Sequence, residues 1–382
     1  MHRRCRLDDL PVELLTQIFV YAQNPNLAVV SKSFWGLSQS SLVRSQYLFH
    51  RYGKIASLGE RAMSSKIANI DVVDNLLRMG CNPRADGDWL YWKACENQDE
   101  ELCAKLLDAM QPSKRTLGHF LNVAAMKGST NIIDLIVNSY NADIHQPNGE
   151  DRVLMLACAE NQVDVVRHLM EKYGCDIHRN RERHLRRACL HGHVELVELL
   201  LPGADVSMFN DAALQNAAHK GHWQIVDRLL EAGANPQANR NAPLKYAISN
   251  NNLSSVISLL RAGADPRCQQ DWPLRHACRN DAAEIVRILL AHHADPDALN
   301  GMPLREALRA GNYDIARQLL EHGADPNSTG ALRGLSDAIR DKNAAIIGLM
   351  LQHGAKLDHP TLLSLQSSTA SNFDSNNLFI EW

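Results

Sequence analysis

Apolar residues fall at helical spacing in short paired stripes over most of this chain, and the pairs repeat. In the clearest pair, Leu274, Ala277 and Cys278 share one face of a first helix. Asn280 and Asp281 interrupt the pattern. Ile285, Val286, Ile288, Leu289 and Leu290 then mark a second helix, and His293-Ala294-Asp295-Pro296 closes the unit. An alanine holds one place in each first helix: Ala94, Ala124, Ala157, Ala188, Ala217, Ala247, Ala277, Ala307 and Ala338. The spacings are 30, 33, 31, 29, 30, 30, 30 and 31. A fixed period of this size predicts a solenoid of stacked helical hairpins. Pro243, Pro273 and Pro303 suit first helical turns, where a missing N–H is no loss. Gly233, Gly263 and Gly323 suit helix stops that need a left-handed residue. A small side chain at the marker alanine lets neighbouring hairpins approach closely. In a solenoid each repeat contacts mainly its neighbours, and the function that follows is binding over a long surface.

Pro-Leu at the first helix, a Gly-Ala-Asp-like turn and the period together resemble the ankyrin repeat family. The resemblance runs over about residues 60–358, as nine units and a worn one ahead of them, Ala62 to Pro83. Most units are three residues shorter than the family's usual 33, so its β-hairpin fingers are expected to be stubby. The family's Thr-Pro-Leu-His opening is altered: Ala242, Trp272 or Met302 replaces its Thr, and Lys245, Arg275 or Arg305 its His. The hydrogen bonds of that Thr and His must then be replaced or absent.

Residues 1–59 do not follow the repeat. Asp8 and Asp9 before Pro11 suit a helix start, with acid at the positive end. Leu14, Leu15, Ile18 and Phe19 form one apolar stripe; Leu27, Val30, Phe34 and Leu37 form a second beyond Asn24-Pro25. The order Leu10-Pro11, Leu14-Leu15, Ile18-Phe19, Val30-Ser31-Lys32, Phe34 resembles an F-box, a module that docks a Skp-type adaptor of a cullin ubiquitin ligase. By that resemblance Leu10, Pro11, Leu14, Leu15 and Ile18 face the adaptor, with Val30 and Phe34 in the second block. The other reading is an N-terminal helical cap on the solenoid. A segment this short buries little by itself and must lean on a partner or on the repeats. The expected fold is therefore all-α, with domains at 1–59 (helical module), 60–358 (solenoid) and 359–382 (capping turn and tail). In the last segment, Leu362, Leu363 and Leu365 suit a final turn, and Leu378 to Trp382 either folds back or docks elsewhere.

Composition adds mainly exclusions. The net charge is −3, which argues against nucleic-acid and anionic-lipid partners. Residues 1–59 carry seven Lys/Arg against three Asp/Glu. No apolar run approaches the roughly 18 residues of a membrane span, and no signal peptide is apparent, so the expected location is cytoplasmic or nuclear. Six of the nine cysteines sit at repeat positions: Cys95, Cys158, Cys189 and Cys278 after the marker alanine, Cys81 and Cys175 in the closing turn. They read as packed thiols, not as disulfides or zinc ligands. His191 and His193 lack further metal ligands. No phosphate-cradling loop or nucleophile elbow occurs, so neither enzyme activity nor a cofactor is expected.

The ends of the first helices are where the family places its concave binding face. Carried over, that face is His219, Lys220, Ser249, Asn250, Arg279, Asn280, Arg309 and Ala310, and it would hold a client protein. Charge reversal at Arg279 and Arg309 is then expected to weaken client binding without unfolding. Arg186, Lys245, Arg275 and Arg305, with Gln215, also share one repeat position. Two readings stand: a cationic track for an acidic or phosphorylated segment, or side chains that replace the family's His and donate to nearby backbone carbonyls.

Overall fold

A computed structural model describes residues 10–24, 26–27, 31–63, 69–145 and 152–356. Val30 and the expected capping turn and tail, 359–382, lie outside the described residues. Every regular element among the described residues is a helix. These residues form two compact units, divided between Ile177 and His178.

The first unit begins with three helices, Val12–Ala22, Lys32–Gln39 and Ser41–Ala56. Ser31 caps the second, its hydroxyl accepting from the amides of Ser33 and Phe34. Phe19 lies 6.3 Å from Phe34 and 5.5 Å from Tyr47, and Leu15, Val20 and Leu48 complete a small core. This core is not self-sufficient. Ser45 donates to the carbonyl of Val72 at 3.3 Å, and the Asn82 amide to the carbonyl of Lys54 at 3.0 Å. The module therefore leans on the helix Ile70–Arg78 and the turn after it. Three hairpins follow: Ala85–Glu96 with Glu100–Met110, Lys114–Met126 with Thr130–Tyr140, and Arg152–Ala159 with Val163–Tyr173.

The second unit contains six hairpins, the first of Arg179–His191 and Val194–Leu200, the last of Thr329–Arg340 and Ala344–Gln352. In both units the nine marker alanines are buried, none more than 3% exposed. Each also closes the turn that follows it. Its carbonyl accepts the amide five residues on at 2.8–3.1 Å, as from Asn252 to Ala247 and from Asn312 to Ala307. A similar bond ends the second helices, where the amides of Ala234, Ala264 and Ala324 reach back to Leu229, Leu259 and Leu319. Gly233, Gly263 and Gly323 supply the positive φ this needs, at 91°, 95° and 94°. His293 holds the same place with φ 66° and no glycine.

The expected short β-hairpin fingers are corrected. At the start of several first-helix segments, just inside their bounds, the backbone leaves the α-helix and makes a left-handed turn of consecutive positive-φ residues: Asp86–Asp88, Phe209–Asp211, Asn239–Asn241, Gln269–Asp271 and Leu299–Gly301. With three residues fewer than the family's period there is no length for two paired arms. The turn reverses the chain in three residues instead. Each non-glycine residue there costs about 1–2 kcal/mol, so the turn needs compensation.

That compensation is a ladder of buried side chains at the turn's last residue. Asp211, Asn241 and Asp271 accept the amides of Asn235, Asp265 and Asp295 at 2.8, 2.9 and 2.8 Å. Glu182 does the same for Asp205 at 3.2 Å. Each rung ties one turn to the Gly-Ala-Asp turn at the end of its own hairpin. The residues that donate to these rungs, Asp205, Asn235, Asp265 and Asp295, also brace that second turn through their own side chains, which accept the amide two residues on.

Burial pushes the Asp271 carboxyl above its usual range, opposed by the bond from the Asp295 amide. A raised folded pKa favours the fold fully below the unfolded value, near 3.9 for Asp, and that advantage is lost as pH rises through the folded value. Asn241 shows that an amide oxygen makes the same bond. Asp271→Asn is therefore expected to match or exceed the parent in urea unfolding at pH 7, the difference narrowing toward pH 4. Asp271→Ala is expected to lose about 1–3 kcal/mol at both. His293→Gly is expected to gain up to about 1 kcal/mol by relieving its left-handed backbone, read from the same curves.

Candidate interaction surfaces

The helix Val12–Ala22 has two apolar faces. Leu15, Phe19 and Val20 point into the small core. Leu14 is 46% exposed, Val12 and Tyr21 are more so, and Ile18 is half-buried. Leu14, Ile18 and Tyr21 follow one another at helical intervals of four and three, so they share the outward stripe. Leu10 is half-buried and Pro11 exposed at the entry to this helix. Trp35 stands exposed one residue beyond Phe34. The sequence grouped Leu15 and Phe34 with the surface; at 3% and 1% exposure they are core instead. Their bulk packs beneath the outward stripe.

In the second unit His219, Lys220, Ser249, Asn250, Arg279, Asn280, Arg309 and Ala310 are all exposed, at the ends of the first helices. Several are already engaged. Asn250 lies 3.2 Å from His219, whose ring meets Tyr246 edge-on at 5.5 Å. Asn280 lies 3.0 Å from His276, which stacks on Trp272 at 4.4 Å. Burial, and then the nearby Arg279, depress the His276 pKa and favour its neutral ring.

Arg279 departs furthest from expectation. It forms a fork with Glu306 of the next repeat, at 3.1 and 2.9 Å. Glu306 is buried, and these bonds hold its carboxyl below the usual range. Arg279 is therefore a strut between repeats, and its charge reversal is no clean probe of binding. Lys220 and Arg309 have no ion pair among the described residues.

The ladder position splits between its two readings. Gln215 donates to the Asn210 carbonyl at 2.6 Å, and Arg275 to the Gln270 carbonyl at 3.1 Å. Both are the backbone-bracing role. Arg305 approaches the Met302 sulfur at 3.8 Å. Arg186 does neither: its guanidinium lies 4.4 Å from the ring centre of Phe209.

Sequence reasoning missed two features. One is the Asp/Asn ladder, whose signal was an Asp or Asn recurring at one repeat position, as Asp211, Asn241 and Asp271. The other is an indentation of about 320 Å³ in the first unit, lined by Trp89, Trp92, Lys93, Glu96 and Lys127 among others. Its charges are internally answered, with Lys93 on Glu96 at 2.8 Å and Lys127 over the Trp92 ring at 5.2 Å. Among the described residues no group of three or more His, Cys, Asp or Glu is placed to hold a metal. No described helix is long and apolar enough to cross a membrane.

Comparison with known proteins bears on the repeats first. A model of ankyrin repeats in three copies matches residues 92–181, 121–210, 185–270 and 258–330, more than half of the chain. The chain belongs to the ankyrin repeat family. A second model, described as the YDR249C N-terminal domain, matches residues 8–39. The human Ankyrin repeat and SOCS box protein 3 is 39% identical over 93 residues, which are 22% of this chain and 18% of that protein. The match thus spans under a fifth of that relative. Among solved structures, the ankyrin repeat domain of human ASB11 is 27% identical, with 46% of this chain and 85% of that one covered and a TM-score of 0.41. An ankyrin repeat domain from Acinetobacter baumannii is 26% identical, with 45% and 98% covered and the same TM-score.

An ankyrin stack transmits the loss of one strut to its neighbours. Arg279→Gln is expected to lose about 1–2 kcal/mol at neutral pH, since the arginine is half-exposed but leaves Glu306 buried and unpaired. A depressed folded pKa gives stability that is present above the unfolded Glu value, near 4.3, and lost as pH falls through the folded value. The gap between parent and Arg279→Gln in urea unfolding should therefore close below about pH 4. Arg309→Glu is expected to change stability by less than about 0.5 kcal/mol.

Proposed function

We propose that this ankyrin protein is a non-catalytic substrate-recognition subunit of a cullin-type ubiquitin ligase. Residues 1–59 dock a Skp-type adaptor as an F-box, and the repeats, residues 60–358, hold the client. The observation that carries this reading is the outward apolar stripe of Val12–Ala22, with Leu14 and Tyr21 exposed. A helix that only capped the repeats would need one apolar face; this one has a second that stays largely exposed, with the His50 ring 4.7 Å from that of Tyr21 at its end. The order of Leu-Pro, Ile-Phe and Ser-Lys elements around the stripe supports it. So does the name of the human relative, which pairs ankyrin repeats with a box module.

In this reading the chain supplies no nucleophile. It raises the effective concentration of a client beside the transfer machinery, and proximity does the rest. Leu10, Pro11, Leu14 and Ile18 meet the adaptor, together with Val12 and Tyr21; Leu15 and Phe34 brace them, and Val30 belongs to the same block. The client strip is the exposed part of His219, Lys220, Ser249, Asn250, Asn280 and Arg309. A plain interaction scaffold with a helical N-terminal cap is the second reading, favoured by the Ser45 bond to Val72 and the contact it marks. The two readings share a structure and differ at Leu14.

Capture of a Skp-type adaptor by the purified full chain separates them. The parent protein is expected to retain the adaptor, and Leu14→Asp to lose it with an unchanged thermal melt, since Leu14 lies outside the core. Leu15→Asp is expected to lose both capture and the folded module. A folded parent that captures no adaptor would leave the scaffold reading.

A further inference from the structure

The helix Arg179–His191 is the most cationic of the first helices, and its single acid is turned away. Glu182 is buried, with the His178 ring at 3.0 Å and the Asp205 amide donating to it. Arg181, Arg183 and Arg187 are exposed and Arg186 half-exposed. None of the four has an ion pair among the described residues.

Phe209 belongs to the next repeat's left-handed turn. It is 49% exposed, with φ 56°, a backbone state that a bulky side chain rarely adopts. It contributes nothing to the core. Its ring is instead flanked by two guanidinium groups, Arg186 at 4.4 Å and Arg181 at 5.7 Å. Gln215 and Arg275, at the same repeat position as Arg186, spend their donors on the backbone five residues earlier. Arg186 makes no such bond, and its Nε is shielded from water without an acceptor. A strained, exposed aromatic thus holds two arginine forks in place with their charge unanswered. Beyond it the same position continues as Lys245, Arg275 and Arg305.

We propose that Arg181, Phe209 and Arg186 form the anchor of a docking site for an Asp/Glu-rich extended segment of the client protein, which runs on past Lys245, Arg275 and Arg305. This rests on the repeats' holding a client and names that client's chemistry. Guanidinium forks pair with carboxylates in two parallel hydrogen bonds, and stacking on the ring costs them no donor. Successive repeats stand about 8–10 Å apart and an extended chain advances about 3.3 Å per residue. One acid every third residue therefore meets one repeat position at a time: the cations Arg186, Lys245, Arg275 and Arg305, and the Gln215 amide between the first two.

The test is fluorescence anisotropy of the full chain with a labelled peptide of about fifteen residues, Glu at every third position and Ser or Ala between. Two control peptides carry Gln, or phosphoserine, in place of Glu. The Glu peptide is expected to bind, more weakly as salt rises, and the Gln peptide to bind at least about tenfold less well. Arg181→Gln with Arg186→Gln is expected to weaken the Glu peptide about tenfold or more, and Phe209→Ala about threefold. The thermal melt should not move, because Gln215 and Gln270 show that glutamine is accommodated at the repeat positions of Arg186 and Arg181. Arg287→Gln, on a second helix, should bind as the parent does. Equal binding of the Glu and Gln peptides, binding of the phosphoserine peptide alone, or a lowered melt in the double variant would overturn the proposal. Adaptor capture through Leu14 is independent of all these variants, so a failure here and a failure of the ligase reading are told apart.

Discussion

Close approach of hairpins at the marker alanine is the constraint from which the rest of each repeat follows. The nine alanines are buried between first helices, and each carbonyl also receives the amide that closes the turn to the second helix. A larger side chain at this place would separate neighbours packed at crystal-like density. With that point fixed, helical geometry decides the other positions. Residues one step on are buried, as Cys95, Cys189 and Cys278 are, and residues two and three steps on are turned out to water. The same alanine that joins the stack thus sets which side chains a partner can meet.

What was legible in the sequence follows from that. Ala94 to Ala338 and the glycines at 233, 263 and 323 are dictated by local sterics, so their period can be read without coordinates. The left-handed turns were hidden because Phe209, Asn239, Arg240, Gln269 and Gln270 carry no glycine to announce a positive φ. The ladder of Asp211, Asn241 and Asp271 that offsets their cost was written at the period, but a lone Asp before Pro-Leu reads as an ordinary helix start. The fork between Arg279 and Glu306 joins residues 27 apart, and only geometry shows that the arginine faces a buried carboxylate. In the N-terminal helix, Leu14 and Leu15 are equally apolar. The side that meets core and the side that meets water are set by Phe34 and Tyr47, which pack from other helices.

The two candidate surfaces differ in physical character. The N-terminal stripe is apolar and rests on a three-helix core that leans on the first repeats. The surface of the second unit is polar, and part of it is already engaged: Arg279 joins Glu306 of the next repeat, while Gln215 and Arg275 donate to the backbone of their own turns. What remains free is uneven. Arg181 and Arg186 at Phe209, then Lys245 and Arg309, are cations with no ion pair among the described residues. An adaptor held by burial of apolar area and a client held by charge can be accommodated together, because neither uses the other's residues.

In the proposed function one chain joins an adaptor to a client through separate surfaces. Native mass spectrometry of the full chain with a Skp-type adaptor and the Glu-rich peptide tests it most directly. The expected result is a ternary complex, with the peptide's affinity the same whether or not the adaptor is bound. Mutually exclusive complexes, or a full chain that takes the peptide and never the adaptor, would contradict it.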